Sequence, residues 1–388
     1  MVVKDLAAQL ARRLAPEPLR ARLFGYDVRE IPHTPPLPAT PVRLYIAPAN
    51  FAGQGFAWAR AAERLPGVGA VNMAFVRKGG FAFPADDPVP EAVYGHSRRW
   101  QLRRRAFVPR FSHVIIEAGR PLLGHLMGAD PFTEAAWLAS RGVRVAMVCH
   151  GSDIRLPSRH RVLEPVSPLT EDWELTPVLE RQALELAARI DDFDGPVFVS
   201  TPDLLLDVRR ARWLPVVVDA ERWAAAGSRR PLEREVPVVA HAPSSSRIKG
   251  TELIEPVLES LAARGLLEYR RVEGVPAERM PEVYGEADVV LDQFRIGNYG
   301  VAACEAMAAG RLVISHVSEL VRAKAREAAG RDLPILEATP DSLEAVLLEV
   351  LAERDRARAL AAQGPAFVRT LHDGDRSAEV LAEFLGVS

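Results

Sequence analysis

Four short segments carry residue types that could do chemistry, and each follows an apolar run. His150-Gly151-Ser152-Asp153 comes directly after Val143–Cys149. A His and an Asp three residues apart on such a loop can both reach a ligand, because imidazole donates to or accepts from hydroxyls and a carboxylate accepts two of them. A satisfied histidine beside a helix-capping aspartate is the competing reading. Ser244-Ser245-Ser246-Arg247-Ile248-Lys249-Gly250 stands between Val236–Ala240 and a helical stretch, Thr251–Ala263. Arg247 and Lys249, with Ser246 and Gly250 around them just before a helix N-terminus, form a cradle for a diphosphate. The alternative is a solvated basic loop.

The third segment runs from Gly297 to Gly310 and leads into Leu312–Ser315. Gly297 and Gly300 mark a tight approach to a helix starting at Val301, and the N–H groups of Asn298, Tyr299 and Gly300 can hold phosphate or sugar oxygens. Glu305 stands among Ala, Cys and Met, where an unpartnered charge is costly. It therefore needs a hydroxyl or cationic partner; an acid paired within its own domain is the plainer reading. The fourth segment, Pro48 to Gly55, offers Gly53 and Gly55 for close backbone approach at a helix start. It lacks the GxGxxG spacing of a dinucleotide site, and an ordinary strand-to-helix turn reads equally well.

These segments need elements to hold them. Apolar runs at Val42–Ala47, Val71–Val76, His113–Ala118, Val143–Cys149, Pro196–Ser200 and Leu214–Val218 read as strands. The helical stretches between them are Ala57–Leu65, Leu122–Met127, Phe132–Ser140 and Pro177–Ile190. The pattern restarts after a polar stretch near residue 225. Its strands are Val236–Ala240, Tyr269–Val272, Val289–Leu291 and Leu312–Ser315; its helices are Thr251–Ala263, Pro276–Tyr284, Val301–Ala309, Ser342–Ala361 and Ser377–Leu385. Continuous apolar strands separated by helices predict parallel sheets covered on both faces. The expected organisation is an amphipathic helix (Val3 to Leu14) and Pro-rich linker over 1–41, α/β domains over 42–225 and 226–370, and a helix over 371–388 packing back on the first domain. The α/β domains are two doubly wound Rossmann-like units facing a central cleft.

Composition narrows the function. The chain has 388 residues, 48% hydrophobic and 26% charged, which is a globular mixture. Cys149 and Cys304 are the two cysteines, too few for a disulfide scaffold or a multi-thiolate zinc site. A net charge of -2 argues against a nucleic-acid partner, yet residues 1–120 hold 18 Lys and Arg against 9 Asp and Glu. Arg98, Arg99, Arg103, Arg104, Arg105 and Arg110 surround Trp100 and Phe107, a patch suited to phosphate groups or an anionic membrane surface, or else a solvated helix face. No leader or membrane span is evident, so a cytoplasmic, peripherally membrane-associated protein is expected. Asp191-Asp192-Phe193-Asp194 contains Asp-x-Asp but precedes a strand, and reads as a solvated loop.

Taken together, HGSD at His150–Asp153, the Arg247–Gly250 run and EAMAAG from Glu305 to Gly310 resemble the retaining glycosyltransferases of family 4, which have the GT-B fold. The resemblance covers roughly residues 42 to 370. It implies transfer of a sugar from a nucleotide-diphosphate donor, UDP- or GDP-linked, with retention at the anomeric carbon and with neither a cofactor nor an obligatory metal. By that pattern Arg247 and Lys249 neutralise the diphosphate, and Glu305 binds the ribose hydroxyls. His150 meets the sugar, Asp153 helps place sugar or acceptor, and the Arg271–Pro276 segment with Gly274 meets the base. Gly53, Gly55, Ser246, Gly250, Asn298, Tyr299, Gly300 and Val301 complete the donor site. An anionic or lipid-linked acceptor is expected on the basic first domain.

One departure stands out. The family carries two glutamates eight positions apart, and the first falls on Gly297 here. Asp292 is the nearest acid that could stand in. The missing carboxylate leaves two further readings open: a nucleotide-sugar epimerase of the same fold, and a non-catalytic binder of sugar nucleotides or polymers.

Overall fold

The computed structural model describes residues 15–77, 79, 83–227 and 229–387. The expected helix on Val3 to Leu14 lies outside the described residues. The strands are β1 (Val42–Ala47), β2 (Val68–Val76), β3 (Asp87–Pro90), β4 (His113–Glu117), β5 (Arg144–Cys149), β6 (Val197–Val199), β7 (Arg212–Trp213), β8 (Val238–His241), β9 (Glu268–Arg271), β10 (Val289–Leu291), β11 (Leu312–Ser315) and β12 (Ile335–Glu337). The helices used below are α1 (Gln54–Ala62), α2 (Arg98–Phe107), α3 (Pro157–Leu163), α4 (Ser246–Lys249), α5 (Thr251–Ala263), α6 (Val301–Ala308), α7 (Gly364–Leu371) and α8 (Asp375–Leu385). The fold is mixed α/β, and the described strand pairs are parallel.

Two compact units divide the described residues: those up to 148 with 193–196 and 387, and those of 149–192 with 197–386. In the first, the strands follow the order β3-β2-β1-β4-β5. β1 lies between β2 (Val42 opposite Val68) and β4 (Leu44 opposite His113). β3 contains two prolines, which cannot donate to a ladder, and accordingly takes the edge.

In the second unit β6 and β7 pair with each other, and a five-stranded sheet runs β12-β11-β10-β8-β9. Successive side chains of its central strands enter opposite cores. Ala240, Val290 and Val313 join Ala303, Met307 and Phe367 on one face. Val239, Val289, Leu291, Leu312 and Ile314 join Ile254, Leu258 and Leu347 on the other. That double burial is why these strands read as unbroken apolar runs. The alanines of α6 let α7 approach closely: a β-carbon on Gly364 would lie 2.6 Å from the Met307 carbonyl oxygen. α8 packs with Phe384 on Phe198 and Ser377 Oγ donating to the Pro215 carbonyl.

Several expectations change. The strand expected over Leu214–Val218 stops at Trp213, since Pro215 has no N–H for a ladder. Residues 122–127 form turns rather than a helix, and the long helix expected over Ser342–Ala361 breaks in two at Glu353. The arginine patch also changes. Arg98, Arg99 and Arg105 are exposed on α2, but Arg104 is 1% exposed and ion-paired with buried Asp87, so it cannot meet a membrane. Spacing explains this: Arg104 shares a helix face with Trp100 and Phe107, both in the core.

Candidate active site

In the second sheet the chain leaves β8 on one side for β9 and returns on the other as β10. The crevice at such a reversal, beyond the carboxyl ends of the strands, is where open α/β sheets bind ligands. Lys249 follows β8 and Asp292 follows β10, and Lys249 Nζ donates to Asp292 Oδ1. The other oxygen of buried Asp292 accepts from the Gly300 N–H at 3.4 Å, at the N-cap of α6. One cation and one helix N-terminus therefore converge on a single carboxylate.

Glu305 lies one turn further along α6, half-buried. Burial pushes its carboxyl up to about 8; Arg222 pulls it down, Asp292 pushes it up, and Lys249 pulls it down again. Among the described residues, no group donates a hydrogen bond to it. A carboxyl in that state has its hydrogen-bonding capacity available to a ligand.

Arg247 is committed elsewhere. Its Nε donates to the Pro168 carbonyl at 3.1 Å, its Nη2 to Thr170 Oγ1 at 2.6 Å, and its guanidinium lies 4.9 Å from the centre of the Trp173 ring. Ser246 opens α4 and Gly250 ends it. Arg295, which the sequence reading missed, packs over Gly250 and donates to the carbonyls of Val166 and Ser167 at 2.7 and 2.8 Å. Gln293 Oε1 accepts from the N–H groups of Arg295 and Ile296, shaping the 293–298 turn. Gly274 follows β9, with no atom within 4 Å of where its β-carbon would be.

At the position of the missing glutamate, Gly297 has φ +70°, a left-handed conformation that disfavours any side chain. A β-carbon there would overlap the carboxylate of Glu164, which follows α3. Glu164 is held by His316, whose Nε2 is 2.7 Å from Glu164 and whose Nδ1 is 2.7 Å from Glu337. Hydrogen bonds to these two carboxylates raise the His316 pKa to about 9. A cavity of about 230 Å³ is lined by Glu164, Arg155, His160, Asp203 and Ile296. Nothing in the spacing signals this cluster, since Glu164 and His316 are 152 positions apart.

Asn298 Nδ2 donates to Asp203 Oδ1 at 3.1 Å, and Asp203 is ion-paired with Arg155. The Tyr299 ring turns into the core, where its hydroxyl meets His372 at 3.0 Å, so only its backbone is available. Val301 starts α6 at the edge of the same core. Asp153 accepts from the N–H groups of His150 and Gly151 at 3.0 and 2.6 Å, closing its own loop. The His150 carbonyl accepts from Ser200 Oγ. Gly53 and Gly55 belong to the first unit at the start of α1. A β-carbon on Gly55 would lie 2.6 Å from Asn72 Nδ2 and 2.9 Å from Glu117 Oε1, so Gly55 serves inward packing. The structure thus gathers Lys249, Asp292, Gly300 and Glu305 at one helix start, and places Arg247 on the 168–173 segment. Among the described residues no group of three or more His, Cys, Asp or Glu could hold a metal ion. No described helix is long and apolar enough to cross a membrane.

No protein-family model matches the chain, and no curated protein matches it by sequence. Solved structures do match by shape. A sucrose-phosphate synthase from Thermosynechococcus elongatus is 16% identical over 88% of this chain and 97% of its own, with a TM-score of 0.57. Anabaena HepE in complex with UDP and glucose is 14% identical over 89% and 99%, with a TM-score of 0.54. An alpha-glucosyltransferase in complex with UDP-glucose and DNA is 10% identical over 89% and 99%, with a TM-score of 0.57. This likeness establishes the fold: the chain has the GT-B architecture of these glycosyltransferases.

Proposed function

We propose that the chain is a glycosyltransferase that takes a sugar from a nucleotide-diphosphate donor and transfers it to an acceptor hydroxyl with retention, needing no metal ion. The observation that carries this reading is the Glu305 carboxyl, which accepts no hydrogen bond among the described residues, beside the Lys249–Asp292 pair at the strand reversal. A carboxyl at about 8 is largely protonated at pH 7, so it can donate to one ribose oxygen and accept from another hydroxyl. Lys249 keeps donors beyond the one given to Asp292, and these would meet the diphosphate together with the start of α6. The UDP and UDP-glucose bound by the similar structures favour a uridine donor.

In the reaction the bond between the anomeric carbon and the diphosphate oxygen breaks as the acceptor oxygen bonds to the same face. The acceptor proton passes to the leaving phosphate, and Lys249 with the α6 N-terminus stabilises the charge that develops there. Arg247 keeps its Nη1 donors, since its bonds to Pro168 and Thr170 use only Nε and Nη2. Glu164, standing where a side chain on residue 297 would be, would offer the sugar the carboxylate that the family resemblance places at 297. Incubating the protein with UDP-glucose labelled in the sugar tests the reading. Release of UDP, with transfer of label to an acceptor or water, is expected, slowed about tenfold or more by Lys249→Ala. Label returned as an epimer still attached to UDP, or no turnover, would contradict it.

A further inference from the structure

The first unit contains a cavity that the nucleotide site does not use. Its volume is about 300 Å³, and it lies beyond the carboxyl ends of β1 and β2, lined in part by Phe51, Phe75, Val76, Arg77, Phe83 and Arg120. Among the described residues no acidic side chain lines it.

Its walls are built rather than incidental. Glu117, fully buried at the end of β4, accepts from the N–H groups of Ala49 at 3.0 Å and Asn50 at 3.1 Å. Asn50 accepts from the Phe56 N–H and donates to the Pro84 carbonyl, at 2.9 and 2.8 Å. These bonds hold a turn in which Asn50 and Ala52 have φ of 52° and 50°. Ala118, at φ 54°, turns the chain from β4 towards Arg120. Two of the described non-glycine residues with positive φ, Asn50 and Ala52, thus line the cavity, and a third, Ala118, stands two positions before its Arg120. Such conformations persist only where the surroundings impose them, and they concentrate at binding sites.

Arg120 is the cation at the centre. Its guanidinium lies 5.1 Å from the centre of the Phe51 ring and 5.2 Å from that of Phe75. Phe75 stacks in turn on Tyr94, whose hydroxyl donates to the Pro121 carbonyl. Among the described residues no carboxylate pairs with Arg120 and its guanidinium makes no hydrogen bond. The other lining cation, Arg77, is paired with Glu91 at 2.7 Å. A half-buried guanidinium held between two rings, with its N–H edge unmatched, is arranged to receive an oxyanion on two parallel N–H donors.

We infer that this cavity binds a phosphate monoester carried on an apolar stem, with the phosphate on the edge of Arg120 and the stem against Phe51 and Phe83. The site is independent of the nucleotide reading, which uses only residues of the second unit and the resemblance. The ligand can be a soluble aryl phosphate or a lipid phosphate, and calorimetry distinguishes them. Phenyl phosphate, farnesyl phosphate, inorganic phosphate and benzyl alcohol are titrated separately into the full chain. Phenyl or farnesyl phosphate should bind about tenfold or more tighter than inorganic phosphate, and benzyl alcohol should not bind measurably. Tighter phenyl phosphate assigns the soluble source, and tighter farnesyl phosphate assigns the lipid one. Arg120→Met should weaken the preferred ligand about tenfold or more while leaving UDP titration unchanged. Phe51→Ser, at a ring 40% exposed, should weaken it too and covers the case that Arg120→Met fails to fold. If neither stem-bearing phosphate outbinds inorganic phosphate, or if folded variants bind as well as the parent, the inference is wrong.

Discussion

A β-carbon on Gly297 would stand 2.6 Å from Cδ of Glu164, so the carboxylate of one residue fills the place of a side chain on the other. The two positions are coupled in both directions. With Glu164 seated there only glycine fits at 297, and with glycine at 297 a carboxylate can arrive from a different part of the chain.

Gly297→Ala should therefore destabilise the protein by about 2–4 kcal/mol, combining the left-handed backbone cost with displacement of Glu164. In the double variant Gly297→Ala/Glu164→Ala only the backbone part remains from the glycine change. Denaturant titration of the four proteins reads this as a coupling energy. Simple additivity would show that the two residues do not compete for the same space.

His316 supplies a pH dependence. Its folded pKa of about 9 exceeds the ordinary 6.5, so its contribution to stability is complete below pH 6.5 and is lost as pH rises through 9. The contribution at low pH is on the order of 3 kcal/mol. The stability gap between the parent and His316→Gln should shrink between pH 6.5 and 9, and a constant gap would remove the imidazolium from the account.

Two kinds of arginine share α2. Arg104→Met should cost about 3–5 kcal/mol, because it leaves Asp87 buried without its partner. Replacing exposed Arg98, Arg99 and Arg105 with Gln should change stability by no more than about 0.5 kcal/mol. If the exposed arginines meet anionic lipid, the triple variant loses salt-sensitive binding to phosphatidylserine vesicles. Unchanged vesicle binding would end that role.

What could be read from the chain beforehand follows physical lines. Val289–Leu291 and Leu312–Ser315 were visible as strands because both of their faces are buried, leaving an unbroken apolar run. β3 was invisible because prolines mark it as irregular although an edge tolerates them. Lys249 and Glu305 stood out because each follows closely on a strand or helix start, where spacing alone sets position. Glu164, His316 and Arg295 could not be found that way, since their partners are distant in sequence and meet only in the folded unit. Arg104 was legible in principle from its helical spacing to Trp100 and Phe107, but the density of arginines around it obscured that face.

In the proposed function Lys249 and Glu305 hold a nucleotide diphosphate. Calorimetric titration of UDP into the parent, Lys249→Ala and Glu305→Ala tests it, with circular dichroism confirming that the variants fold. Measurable UDP binding by the parent is expected, with a loss of about tenfold or more in each variant. Equal UDP affinity in all three folded proteins would contradict it.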